Sequence, residues 1–144
     1  MRENCADMAV EASRIDEAFI ADCRALLITG THLSTPTVRA ASLAALGFAG
    51  QHGTTRVLDI DYRPVLWGLT KRGEGANRFV ADAAVTERLQ AVLPQFDLLI
   101  GTEEEFLIAG GVAGDLLANL RRVREVTAAA MVVSVSAAAR NMVA

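Results

Sequence analysis

Four short apolar runs spaced along the chain constrain its fold more than any other feature: Ala25–Thr29, Arg56–Ile60, Asp97–Gly101 and Ala130–Val135. Each is too short for a helix and reads as a buried strand, the first as one buried on both faces. Helical spacing fills the intervals. Thr35-Pro36 opens a segment that runs to about Gln51 and stops at Gly53, since proline at a first helical position lacks only an N–H that had no partner. Asn77 to about Leu93 is a second, closed by Pro94. Thr102 caps a short acidic helix broken at Gly110-Gly111, and its first-turn glutamates suit the helix dipole. Gly114 to about Val126 is a further helix. Ahead of the first strand, Ser13 with Asp16 three residues on marks a helix start, and Ile15, Ala18, Phe19 and Cys23 share its face. This alternation predicts an α/β fold with a mostly parallel sheet covered by helices on both faces.

At 144 residues the chain has one domain's length, and a composition 52% hydrophobic and 22% charged excludes both intrinsic disorder and a disulfide-built miniprotein. A net charge of −3 with mixed signs gives no footprint for phosphate backbones or anionic lipid, so neither nucleic acid nor membrane is an expected partner. There is no apolar signal core and no run long enough to span a bilayer; the expectation is a cytoplasmic protein. Cys5 and Cys23 are expected as free thiols, and His32 and His52, lacking ligand spacing, as turn or surface residues.

The usual phosphate loops are missing. Gly68 to Gly73 has the gap of a Walker loop, but Glu74 stands where lysine is required, and no G-x-G-x-x-G occurs. The most informative stretch is Asp59-Ile60-Asp61-Tyr62-Arg63, at the carboxyl end of a strand, where functional groups collect in open parallel sheets. In extended backbone Asp59, Asp61 and Arg63 share a face, so a guanidinium held by an acid is set for a carboxylate or phosphate. A structural ion pair is the bland alternative. A chemical alternative is an aspartate-nucleophile phosphatase, in which Asp59 would attack phosphorus and Asp61 handle the proton; Arg63 occupies the position where that D-x-D-x-T/V pattern has Thr or Val.

The second half of the pattern supports a different class. Asp59-Ile60-Asp61-Tyr62-Arg63-Pro64-Val65-Leu66-Trp67 resembles the D-x-N-x-R-x-x-L-W segment of the ribokinase-like (PfkB) carbohydrate kinases, with Asp61 in place of Asn. Thr102-Glu103-Glu104-Glu105 resembles that family's N-x-x-E segment, with Thr102 for Asn. Arg2-Glu3-Asn4 and Thr29-Gly30-Thr31-His32 extend the likeness to a sugar-acid branch of the family.

The resemblance implies a partial ribokinase-like (Rossmann-like) three-layer fold. It implies phosphoryl transfer from ATP, with Mg2+, to a hydroxyl of a small-molecule sugar acid. Position by position, Arg63, Asp61 and Arg2 would meet the substrate, Thr102 and Glu105 the nucleotide phosphates, and Glu105 the metal. Such transfer needs positioning and charge neutralisation more than covalent chemistry, and Mg2+ takes only a carboxylate or two from protein. The family's G-A-G-D segment, which carries the catalytic base, has no counterpart. Residues 1–135 are therefore expected to be the central part of a kinase domain, inactive alone, and 136–144 a non-native or disordered tail. A remnant acting only through protein association, as a homo-oligomer or through exposed sheet edges, is a further alternative.

Overall fold

A computed structural model describes residues 6–70 and 80–135. Arg2, Cys5, the charged connection around Lys71, Arg72 and Glu74, and the tail 136–144 lie outside the described residues. The order is α1 (Glu17–Asp22), β1 (Ala25–Thr29), α2 (Pro36–His52), β2 (Thr55–Asp59), α3 (Ala83–Gln90), β3 (Leu98–Thr102), α4 (Glu103–Gly110), α5 (Leu116–Val126) and β4 (Ala130–Ser134), with short 3-10 turns between. The strands form one four-stranded parallel sheet in the order β1-β2-β3-β4. The predicted α/β class and parallel sheet are therefore present.

Helix boundaries follow the local chemistry. Pro36 and Gly53 bound α2 as the sequence implies, and Gly53 takes a φ of 70° that favours glycine. The first helix starts later than Ser13: the Asp16 carboxylate accepts the N–H groups of Ala18 (2.9 Å) and Phe19 (3.2 Å), while Ser13 sits in a preceding 3-10 turn. A charged acceptor taking two orphan N–H groups outcompetes the serine. The α3 helix is likewise shorter than expected, because Asp82 caps it through the Val85 N–H at 3.0 Å.

Among the described residues the strand runs are buried on one face, not on both. Ile28, Leu58 and Leu99 are buried in one core cluster with Leu46, Leu89, Phe106 and Val123 of the helices. The positions alternating with these leave Leu27 58%, Ile100 36% and Val132 53% exposed, the last two being register partners. Topology explains the difference: every crossover advances one strand in the same direction, and right-handed crossovers then set every connecting helix on one side. Composition alone could not reveal that order.

At the amino end of the sheet, Arg56 clasps Asp97. Its backbone N–H and Nε donate to one carboxylate oxygen at 2.8 and 3.2 Å, and its terminal nitrogen to the other at 2.9 Å. The guanidinium holds the Asp97 carboxyl below the usual carboxylate range. This clamp fixes β2 beside β3, and so which residues meet at the opposite, carboxyl edge.

Candidate functional site

The carboxyl edge is where β2 and β3 release their chains toward solvent. Ile60 still donates its N–H to the Ile100 carbonyl at 2.9 Å, continuing the ladder one residue past β2. Gly30, just after β1, lies beneath it. A Cβ at Gly30 would fall 2.0 Å from the Ile60 carbonyl oxygen, so only glycine lets the two chain exits pass. Asp61 then turns the backbone with a φ of 28°. That turn corrects the extended-strand argument for a shared face of Asp59, Asp61 and Arg63. The pairing survives by another route, because the turn lets Arg63 Nε donate to Asp61 Oδ1 at 2.9 Å. Arg63 is exposed and Asp61 half-buried.

Tyr62, between them, is buried. Its N–H donates to Glu105 Oε1 at 3.0 Å and its hydroxyl to the Val80 carbonyl at 2.6 Å. On the β3 side, Thr102 and Glu105 form a reciprocal capping box: Thr102 N–H donates to Glu105 Oε2 at 2.7 Å, and Glu105 N–H to Thr102 Oγ1 at 3.3 Å. The capping motif read from Thr102 and the acidic turn is thus present, and its acid reaches across to β2's exit loop as well.

Four charged groups meet at this rim. Burial raises the Asp59 carboxyl above its ordinary range, the nearby Asp61 and Glu105 charges raise it further, and the Asp61 N–H and Arg63 partly offset this. Asp61, Arg63, Thr102 and Glu105 are therefore brought together as the motifs imply. Arg2 is outside the described residues. Asp59, given a catalytic role only in the phosphatase alternative, joins the group as an electrostatic neighbour. Along the same edge, Thr29 Oγ1 lies 2.7 Å from Thr31 Oγ1 and 3.3 Å from His32 Nδ1. Tyr62's part had no sequence signal, since its partner Glu105 lies 43 residues on.

Among the described residues no group of three or more His, Cys, Asp and Glu has an arrangement to hold a metal by itself. Glu105 nonetheless suits an outer role. Each of its oxygens accepts one N–H, leaving a lone pair for a water of a hydrated Mg2+. A groove of about 690 Å³ between α3 and the α4–α5 connection lies apart from this rim. Its Thr86 and Gln90 are already bonded to the carbonyls of Ile108, Ala109 and Gly110.

No protein-family model matches the chain. The fold resembles the crystal structure of a PfkB protein from Polaromonas sp. JS666, with a TM-score of 0.73 and 20% identity over 94% of this chain and 42% of that one. It also resembles a ribokinase II from E. coli crystallised with ATP and Mg2+, with a TM-score of 0.66 and 17% identity over 87% and 36%. In fold and in the paired segments at the β2 and β3 exits, the matched part of the chain resembles the ribokinase-like (PfkB) carbohydrate kinases. Within that family it is similar to the 5-dehydro-2-deoxygluconokinase of Geobacillus kaustophilus (strain HTA426), 38% identical over 105 residues. That match covers 73% of this chain and 28% of the relative, so the chain spans little more than a quarter of the length of the curated relatives it matches.

Proposed function

We propose that the chain carries the substrate-side and phosphate-side rim of a kinase that phosphorylates 5-dehydro-2-deoxy-D-gluconate. The observation that carries this reading is the hydrogen bond between Glu105 and Tyr62 N–H, which joins the two motif segments into one rim. Arg63, steadied by Asp61, offers its exposed guanidinium to the sugar-acid carboxylate, for which a planar fork of donors is well shaped. Thr102 and Glu105 face the nucleotide phosphates, and Glu105 holds waters of the magnesium ion. Bound there, Mg2+ would supply charge neutralisation on the transferring phosphoryl group. The E. coli neighbour's ATP and Mg2+ support this assignment by kinship of fold.

On this reading residues 1–135 are the central part of a kinase domain, and the catalytic base lies outside the chain's own sequence. The purified chain then shows no turnover with ATP and the sugar acid in a coupled assay. Substantial turnover would overturn that part. Nothing favours the phosphatase alternative: burial and two neighbouring acids push the Asp59 carboxyl up, opposite to what an ionised nucleophile needs. The direct test is equilibrium binding. The chain takes up 5-dehydro-2-deoxy-D-gluconate in preference to neutral D-fructose, and Arg63→Ala removes the preference; equal affinity for the acid and the neutral sugar would defeat the proposal.

A further inference from the structure

We propose that Glu105 is a positioning residue that sets Arg63 through the backbone of Tyr62, so that one carboxylate links the two halves of the rim. Its oxygens go to separate segments. Oε2 accepts the Thr102 N–H inside its own helix cap, and Oε1 accepts the Tyr62 N–H at the exit of the neighbouring strand. A capping-box acid needs only the first of these bonds. The second reaches the residue between Asp61 and Arg63, in a loop that bends through a left-handed Asp61. A non-glycine residue holds such a backbone only where its surroundings over-determine it. Here the surroundings are Gly30 beneath Ile60, the Tyr62 hydroxyl on Val80, and Glu105 on the Tyr62 amide.

Glu105 is the one of these supports that belongs to the phosphate-side segment. With Tyr62 fixed, the Asp61 carboxylate stands where it receives Arg63 Nε at 2.9 Å, and the guanidinium is aimed instead of swinging freely. Gly101 leaves the carboxylate its room, since a Cβ there would lie 3.2 Å from Glu105 Oε2 and 3.1 Å from Ile60 Cδ1. Whatever draws on Glu105 therefore bears on Arg63, and by reciprocity the reverse holds. The sugar-acid consequence rests on the carbohydrate-kinase reading above; the link between Glu105 and Arg63 does not.

The test is amide exchange and 15N NMR on the whole chain, wild type against Glu105→Gln, with D-gluconate as the added probe. The Tyr62 and Thr102 amides face different oxygens of Glu105, and glutamine puts an NH2 donor in place of one of them, so one amide loses its acceptor. In the wild type the Tyr62 and Thr102 amides are protected together. In the variant at least one exchanges about 10- to 100-fold faster, the equivalent of one charge-assisted hydrogen bond, and the Arg63 Nε–H signal shifts although Arg63 is untouched. A variant that loses stability but keeps the wild-type Arg63 signal would reduce Glu105 to a helix cap and overturn the proposal. If the variant does not fold, the wild type decides: a Tyr62 amide exchanging as freely as an exposed loop amide overturns it, and one protected like that of Thr102 supports it. D-gluconate separates the two readings. Failure of the wild type to bind it counts against the substrate assignment, while the Arg63 signal still judges the positioning role.

Discussion

Gly30→Ala is the substitution whose cost can be worked out most directly. The added methyl would stand 2.0 Å from the Ile60 carbonyl oxygen and 3.0 Å from its carbonyl carbon, both backbone atoms. No side-chain rotation relieves such an overlap, and the Ile60 segment cannot retreat without breaking its bond to the Ile100 carbonyl. Overpacking of this kind costs about 1–3 kcal/mol, and an immovable backbone partner puts it at the upper end, about 3 kcal/mol. Gly47→Ala is the matched control. Gly47 lies in the interior of α2 with nothing within 4 Å of the new methyl, so the same change stabilises by about 0.5–1 kcal/mol. At roughly 3–4 °C per kcal/mol for a chain of this size, thermal melts should drop by about 10 °C for the first and rise by about 2–4 °C for the second. The single Trp67, in the turn that follows the Arg63 loop, reports both by fluorescence. Equal melting temperatures for the two variants would refute the close approach of Gly30 to Ile60.

Three further outcomes follow from the charges and the open sheet face. Asp59→Asn should raise the melting temperature at pH 7: a carboxyl raised by folding resists ionisation in the native state, so the penalty is present above its folded pKa and vanishes below the unfolded value of about 3.8. A benefit persisting unchanged at pH 3 would count against this. Asp97 has the opposite sign, since Arg56 lowers its pKa; its contribution is present above about 3.8 and is lost as the pH falls through the lower native value, so Asp97→Asn should flatten the acid limb of a stability profile. The effect is modest, because the pair is partly solvated. Leu27→Gln with Val132→Thr should lower self-association in sedimentation experiments with little loss of stability, because both side chains are exposed on the uncovered face. Unchanged association would separate the face from any oligomer.

Much of this was legible in the sequence because it is local. Pro36, Gly53, Gly111 and the Thr102 cap each act within a few residues, and all four mark helix ends where expected. The strand runs declared themselves by apolar length. Whether a strand is covered on one face or two depends on the order of strands and the hand of each crossover, which no single run encodes; Leu27 and Val132 sit on the exposed side for that reason. At the rim, the motif residues Asp61, Arg63, Thr102 and Glu105 were visible as residue types at a spacing. The means of joining them was not, because the acceptor of the Tyr62 amide comes from another strand's exit, and Asp61 leaves extended geometry just where alternation would have been used to aim it.

The proposed function requires the exits of β2 and β3 to form one site for a sugar acid and the magnesium-bound end of ATP. Its most direct measurement is a 15N chemical-shift map of the chain titrated with 5-dehydro-2-deoxy-D-gluconate and then with Mg2+-ATP. The acid should move Asp61, Tyr62 and Arg63 most, the nucleotide should move Thr102 and Glu105 most, and each ligand should also perturb the other's residues. Shifts confined to the groove between α3 and the α4–α5 connection, or the absence of any at the rim, would contradict it.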